Sequence, residues 1–248
     1  LLLMIVWLVY AVFVIERDGH MLLNSILENI PELCNIPYVN LVWPESKLRH
    51  VEVIQNHMTS ISSEVESIVN KYMRSSCNPT QRYFDIMDIN GTRIYSREGV
   101  FFINDVSAIC KIIQRCDLAP ENTLVACANE ADNKKKLDAL GKGFKIVHIK
   151  KEHECNKTFT FVTKHCFEGV DFYSLSSSTF IFANPNALNL NLDMAIDIPQ
   201  IIGRCRTQQN PFRNRVWFYH KYTDKKTVEA AEQKIMEKKI ILVCHQIV

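Results

Sequence analysis

The sequence predicts an α/β fold, a parallel sheet with helices on both faces. Between about residues 99 and 243, short apolar runs alternate with segments of helical periodicity. Runs as apolar as 100–103 and 123–128 suit strands that are buried on both sides of a parallel sheet. Because strands that alternate with helices are joined by parallel crossovers, this region is predicted to form a three-layer domain.

The elements of this domain follow one another along the chain. Asn104 or Asp105 can cap the first helix, Gly141 can close the second, and Pro199 suits the first turn of the third. We predict strands at 100–103, 123–128, 145–149, 159–162, 178–184, 216–219 and 240–243, and helices after residue 105, at 132–140, from 198 and at 229–239.

The first 78 residues are predicted to form a mainly helical appendage. Apolar residues three and four apart predict a helix within 20–30, ended by Pro31, and an amphipathic helix across about 45–72, with a short strand at 38–43 between them. The loop Ser75–Pro79 then separates residues 1–78 from a domain at 79–248. Just after it, Asn90-Gly91 predicts the turn of a β-hairpin spanning 83–95.

Residues 1–15 form an unbroken apolar run. A helix of this length spans about 22 Å, which is shorter than the ~30 Å hydrocarbon core of a bilayer. No basic segment precedes the run and no small-residue cleavage site follows it, so a signal peptide is not indicated. We expect a buried strand or helix, or the result of a truncated reading frame. A membrane anchor is the alternative, although a membrane partner is not expected.

Composition restricts the class of protein. A hydrophobic content of 47% is sufficient for a sizeable core. The net charge of +2 gives no strong overall field, so nucleic-acid binding would need a local basic surface. Nine cysteines without a Cys-x-x-Cys pair indicate reduced thiols, and therefore a cytoplasmic or nucleoid-associated protein.

Two short motifs stand near each other in the second half of the chain. Both follow predicted strands, and the carboxyl end of a strand is the usual ligand edge of an open α/β sheet. Arginine is suited to phosphate because its planar fork can bind two oxygens, and glycine permits a close backbone approach. The motifs are Thr163-Lys164 with Gly169-x-Asp171, and Gln200-x-x-Gly203-Arg204-x-Arg206.

This pair resembles motifs V and VI of superfamily-2 helicases, the DEAD/DEAH-like enzymes, in the second of their two RecA-like domains. The shorter Arg-x-Arg spacing is more similar to herpesvirus-type origin-binding helicases of DNA replication and related phage proteins. In most of the family the second arginine follows three residues after the first, where this chain has Thr207. The resemblance covers roughly residues 98–222.

The resemblance implies a role for each matching residue. Thr163 would contact the nucleic-acid backbone, and Gly169 and Asp171 would approach the ribose of ATP. Gln200 and Gly203 would form part of the ATP site. Gln200 would reach the ATP phosphates together with Arg204 and Arg206, and these two arginines would be catalytic. The cofactors are then ATP and Mg²⁺, bound mainly by a first RecA-like domain that is missing from this chain.

The Arg-x-Arg spacing raises a geometric problem. Residues two apart on one helix point about 200° from each other, so Arg204 and Arg206 cannot face one phosphate from a continuous helix. They could do so only if the helix ends or distorts near Gly203. Arg204 is then predicted to be the principal phosphate contact, and Arg206 to reach round to it or to pair with an acidic neighbour.

Further basic residues are candidates for nucleic-acid contact. Lys164, Arg213 and Arg215 could bind phosphates, and the aromatic residues around 212–219 could stack on bases or lie in the core. Histidines and cysteines between 148 and 166 match no zinc spacing that we can justify, so no metal site is predicted.

Two nucleotide-binding motifs are absent from the sequence. It contains no Gly-x-x-x-x-Gly-Lys-Ser/Thr P-loop, and no Asp-Glu pair follows an apolar strand. The chain alone is therefore expected to be inactive as an ATP hydrolase. We predict the C-terminal half of an ATP-dependent helicase or translocase acting on DNA or RNA. The alternative is a non-catalytic nucleic-acid or protein interaction module that kept the fold.

Overall fold

The computed structural model describes residues 51–77, 84–87, 90–149, 154, 156–166, 170–192 and 197–221. The predictions for residues 1–50 and 222–248 lie outside these ranges. They are the apolar run at 1–15, the strands at 38–43 and 240–243, and the helices at 20–30 and 229–239. Within the described ranges, no helix combines the length and the apolar character that crossing a membrane requires.

Eight strands and four α-helices make up the described chain. The predicted strand at 145–149 is reduced to a single bridge between Ile146 and Val125. The elements are β1 (Glu52–His57), α1 (Ile61–Cys77), β2 (Asp85–Met87), β3 (Arg93–Tyr95), β4 (Glu98–Phe102), α2 (Val106–Arg115), β5 (Thr123–Ala126), α3 (Ala131–Asp138), β6 (Phe159–Val162), β7 (Ser177–Ala183), α4 (Asp197–Gly203) and β8 (Arg215–His220), with 3₁₀ turns at Lys164–Cys166 and Leu188–Leu190.

Six of the strands form one sheet in the order β1-β8-β7-β4-β6-β5, and every neighbouring pair is parallel. This arrangement confirms the predicted α/β fold. Strands β2 and β3 form the predicted antiparallel hairpin apart from this sheet, with Ile86 opposite Ile94. Gly91 in their connection has φ +75°, a backbone conformation that favours glycine.

The two sides of the sheet carry different side chains, because successive residues of a strand point to opposite faces. One side, here called the aromatic face, is covered by α1 and α2. The other, here called the α4 face, is covered by Ile198 and Ile201 of α4. The aromatic face includes Phe101, Phe159, Phe161, Phe180, Phe182, Trp217 and Tyr219, and the α4 face includes Val100, Phe102, Leu124, Val162, Ile181, Val216 and Phe218.

Strand β1 and helix α1 belong to this sheet and core. Strand β1 pairs with β8 along its whole length, and Val65, Ile68 and Val69 of α1 are each 0% exposed. The expected appendage at residues 1–78 therefore does not describe residues 51–77. The amphipathic helix expected across about 45–72, with room for one break, is also wrong at residues 52–57, which form β1. Apolar residues at 51, 54 and 58 fit a helix, but the free edge of β8 pairs with this segment as a strand.

Candidate functional site

The structure brings the two sequence motifs together. Helix α4 ends at Gly203, Arg204 lies in the turn that follows, with its backbone N–H donating to the Ile201 carbonyl at 3.1 Å, and Arg206 follows Cys205. The backbone N–H of Phe172 donates to the Arg204 carbonyl at 2.8 Å, and the N–H of Arg206 donates to the Phe172 carbonyl at 3.0 Å. Cys205 and Phe172 thereby form a parallel bridge. Asp171 is thus held beside the two arginines.

Both arginines reach the same carboxylate. Cys205, between the two arginines, pairs with Phe172, while the arginines on either side of it both contact Asp171. Cys205 and Phe172 are buried, and Asp171 Oδ1 accepts a hydrogen bond from Arg206 Nε at 2.8 Å. Arg204 Nη1 lies 3.7 Å from the same oxygen. The Arg-x-Arg spacing is therefore explained by the end of the helix, and Arg206 pairs with an acidic neighbour as predicted.

These three charged side chains are partly accessible. The side chain of Arg204 is 12% exposed, that of Arg206 27% and that of Asp171 34%. Arg204, predicted to be the principal phosphate contact, is therefore the more buried of the two arginines. A ligand from solvent can reach this cluster most readily along Arg206 and Asp171.

Three other residues of the motifs have different outcomes. Gly169 lies outside the described residues, and for Gln200 only the backbone, within α4, is described. A Cβ at Gly203 would meet no heavy atom within 4 Å, and its φ is not positive. No close neighbour within the described chain therefore requires glycine at position 203.

Thr163 and Lys164 lie at the carboxyl edge of the sheet, directly after β6. Thr163 is buried, and its backbone N–H donates to the Ala126 carbonyl at 3.1 Å. Lys164 Nζ lies 3.2 Å from Asp197 Oδ1, and its ammonium side chain is about half exposed. Of these two candidates for nucleic-acid contact, Lys164 is the accessible one.

Two residues at this edge were missed by sequence reasoning. Asn104 follows β4, and its Oδ1 accepts from the Lys164 backbone N–H at 2.9 Å. Asp197 opens α4, where a carboxylate interacts favourably with the positive end of the helix. The available signals were an amide directly after an apolar strand, and an acid in the first turn of a predicted helix.

The position of Asn104 is that of a topological switch point. The connection after β4 carries α2 on the aromatic face, whereas the connection after β7 carries α4 on the other face. Ligands of open α/β sheets bind outside the carboxyl ends of such neighbouring strands. Asn104 is also bound to the loop after β7, because its Nδ2 donates to the Asn189 carbonyl at 2.6 Å.

Arg213 and Arg215 lie at the opposite edge. Arg215 is the first residue of β8, and its Nε donates to Glu52 Oε2 at 2.7 Å. Since all six strands are parallel, this amino edge lies about 15–20 Å from the residues that follow β6. The structure therefore does not bring Arg213 and Arg215 together with Thr163 and Lys164.

The aromatic residues near β8 are part of the core. Phe212, Trp217, Phe218 and Tyr219 are all buried, so they offer no surface for base stacking. Among the described residues, no group of three or more His, Cys, Asp or Glu side chains could hold a metal ion. His153 and Cys155 lie outside the described ranges.

A polar chain connects the arginine segment to β4. Thr207 Oγ1 accepts from the Ser174 backbone N–H at 3.0 Å, and Ser174 Oγ donates to Glu98 Oε2 at 2.7 Å. Burial raises the pKa of the Glu98 carboxyl, and this hydrogen bond partly offsets the effect. Sequence reasoning missed Glu98, which shows no motif.

Comparison with known proteins leaves the family open. No protein-family model matches the sequence, and no curated protein matches it. One solved structure, described as a CRISPR-associated protein, is 9% identical over 76% of this chain, with a TM-score of 0.39. The chain spans 18% of the length of that protein. A similarity of this size carries no argument about function. The fold itself is defined by the sheet as a three-layer α/β fold of the Rossmann/RecA-like class.

Proposed function

We propose that this chain is the second RecA-like domain of a superfamily-2 helicase or translocase, acting with a first domain outside this sequence. The observation that carries the proposal is the convergence of Arg204 and Arg206 on one point beside Asp171. Two guanidinium groups at one point suit the dispersed negative charge of a transferring phosphoryl group.

A second feature supports a link between ATP and nucleic acid. Helix α4 starts at Asp197, which contacts Lys164, and ends at Gly203, directly before Arg204. Its seven residues span about 10 Å. A shift of the arginine segment on contact with phosphate would therefore be transmitted through one short helix to the carboxyl edge, where Lys164 could hold a DNA or RNA backbone.

The described residues fit only part of the implied cofactor. The two arginines suit phosphate oxygens. Mg²⁺ is bound by protein oxygen atoms together with the phosphates. The resemblance assigns those protein ligands to the first domain. Asp171 Oδ1 accepts from Arg206 Nε, so the predicted ribose contact would use the other carboxylate oxygen or require Asp171 to leave the arginine.

The test is ATP hydrolysis in a two-domain protein with saturating ATP and nucleic acid. Lysine cannot reproduce the planar fork at either position. Arg204→Lys is expected to lose most of kcat and Arg206→Lys less, because the Nε of Arg206 already donates to Asp171 Oδ1. A larger loss at position 206 would reverse this ranking. The chain alone should show no turnover. Steady hydrolysis by the chain that survives Arg204→Ala would overturn the proposal.

Nucleic-acid binding is tested separately with a single-stranded oligonucleotide at several salt concentrations. Lys164→Gln should reduce the slope of log K against log salt by ~0.7–0.9, the effect of one lost phosphate contact. Arg215→Gln is the matched control, since this residue lies at the opposite edge bound to Glu52. Equal reductions in both variants would contradict a track at the carboxyl edge.

A non-catalytic interaction module is the second candidate. It is favoured by the contact of both arginines with Asp171 and by the absence of steric need for Gly203 among the described residues. Oligonucleotide binding that depends on Lys164, without ATP hydrolysis in any two-domain protein, would support this candidate over the helicase.

A further inference from the structure

Asp171 occupies the part of Arg206 that a phosphate would use. The Nε edge of a guanidinium is one side of the fork that binds two oxygens of a phosphate or carboxylate. In this chain that edge donates to Asp171 Oδ1 at 2.8 Å. A phosphate therefore cannot bind this edge of Arg206 while the carboxylate remains there.

The charges and exposure of the cluster permit an exchange. Both guanidinium groups keep their positive charge beside Asp171, and a positive charge attracts the oxygens of an anion. The Asp171 side chain is 34% exposed, so its carboxylate can turn into water when it leaves the arginines. The buried neighbours Phe172 and Cys205 hold the two backbone segments together, so the arginines stay in place.

We propose that Asp171 is a built-in competitor for phosphate, whose carboxylate occupies the arginines until the phosphates of a nucleoside triphosphate displace it. The inference rests on the proposed function in that it takes the same arginines as phosphate contacts. It adds that a carboxylate of the same chain competes with phosphate, and that one substitution removes this competition.

The experiment measures binding of inorganic tripolyphosphate to the chain by titration calorimetry in about 0.1 M salt. Asp171→Asn keeps the size of the side chain and removes its charge. We expect binding about tenfold tighter than in the wild type, equivalent to about 1.4 kcal/mol. Adding Arg206→Gln to this variant should abolish the gain.

Asp132→Asn is the matched control. It changes the net charge of the chain by the same amount and removes a carboxylate bound to Lys136 on α3, which packs against the aromatic face on the other side of the sheet. Its affinity for tripolyphosphate should stay within about twofold of the wild type, because general charge effects are screened over a Debye length of about 10 Å. Equal gains in the two variants, or no gain in Asp171→Asn, would overturn the proposal.

A measurement on the wild type guards against variants that do not fold. The Arg206 Nε–H resonance should shift in NMR spectra when tripolyphosphate is added, because its acceptor changes from carboxylate to phosphate. An unchanged resonance at saturating tripolyphosphate would contradict the exchange. Since neither experiment uses nucleic acid or a first domain, their failure leaves the helicase tests standing. A helicase test that fails beside a positive result here would mean a phosphate site with another purpose.

Discussion

The two faces of the sheet differ in what covers them and in which candidate residues they carry. The aromatic face packs a layer of rings beneath two long helices, and Phe101 and Phe180 stack with centroids 5.1 Å apart. The α4 face is covered by a helix of seven residues and by the two segments, joined by the Phe172–Cys205 bridge, that hold Asp171, Arg204 and Arg206. We infer that one face supplies most of the stability, whereas the other carries the candidate site.

Removal of residues 1–78, which include β1 and α1, is expected to have the largest effect on the stability of the protein. A fragment of residues 79–248 lacks the helix whose Val65, Ile68 and Val69 are buried against the aromatic face. It also leaves β8 as an exposed sheet edge, which favours aggregation. We expect no cooperative thermal unfolding of this fragment by circular dichroism. A sharp transition would restore the boundary near residue 79 that the sequence indicated.

A single ring removed from the aromatic face should have the next largest effect. Phe180 is fully buried among Phe84, Phe101 and Trp217. Phe180→Ala is expected to lower the free energy of unfolding by about 3–5 kcal/mol in urea titrations, through lost burial and a cavity. The control is Leu175→Ala, whose side chain is 68% exposed and whose effect should stay within about 0.5 kcal/mol.

Alanine substitutions at two glycines, one on each face, should change the free energy of unfolding by smaller amounts. A Cβ at Gly99 would lie 2.7 Å from Cε2 of Phe101, whereas one at Gly203 would meet nothing within 4 Å. Gly99→Ala should destabilise the protein by about 1–3 kcal/mol, because the ring must shift. Gly203→Ala should be neutral or stabilising by up to about 1 kcal/mol, since alanine favours the helix. Chemical denaturation of both variants measures the difference, and similar losses would contradict the role given to Gly99.

A fall in pH should have the smallest effect on stability, through His220 at the place where β1 pairs with β8. His220 stacks on Phe218 and lies 6.4 Å from His57, between ring centroids. Burial and the neighbouring His57 lower the pKa of His220. The folded state therefore binds the proton less readily than the unfolded state, whose pKa is about 6.5. Stability from the neutral ring is present above that pH and is lost as the pH falls through it.

The measurement for this last prediction is the melting temperature between pH 7.5 and 5.5. The decrease should be smaller in His220→Gln than in the wild type, because glutamine does not titrate. His148→Gln serves as the control and should follow the wild type. An identical decrease in all three proteins would show that another group causes the acid sensitivity.

The local sequence pattern was sufficient to predict those strands that are buried on both sides. Strand β6 lies at Phe159–Val162 as predicted, and the cap of α2 at Asp105 accepts from the Ala108 N–H at 3.0 Å. Apolar runs between turn residues have few alternatives in water, so these elements follow from the sequence. Strand β1 does not follow from the sequence, because its exposed, half-polar residues fit a helix equally well. Pairing with the edge of β8 makes this segment a strand.

The sequence by itself determined the α/β class, the hairpin at Asn90-Gly91 and the presence of two arginines after a glycine. Only the tertiary structure decided that Arg204 and Arg206 both contact the Asp171 carboxylate. The reason is that side-chain direction depends on where the helix ends. That end is set by the bridge to Phe172, a residue more than thirty positions earlier in the chain.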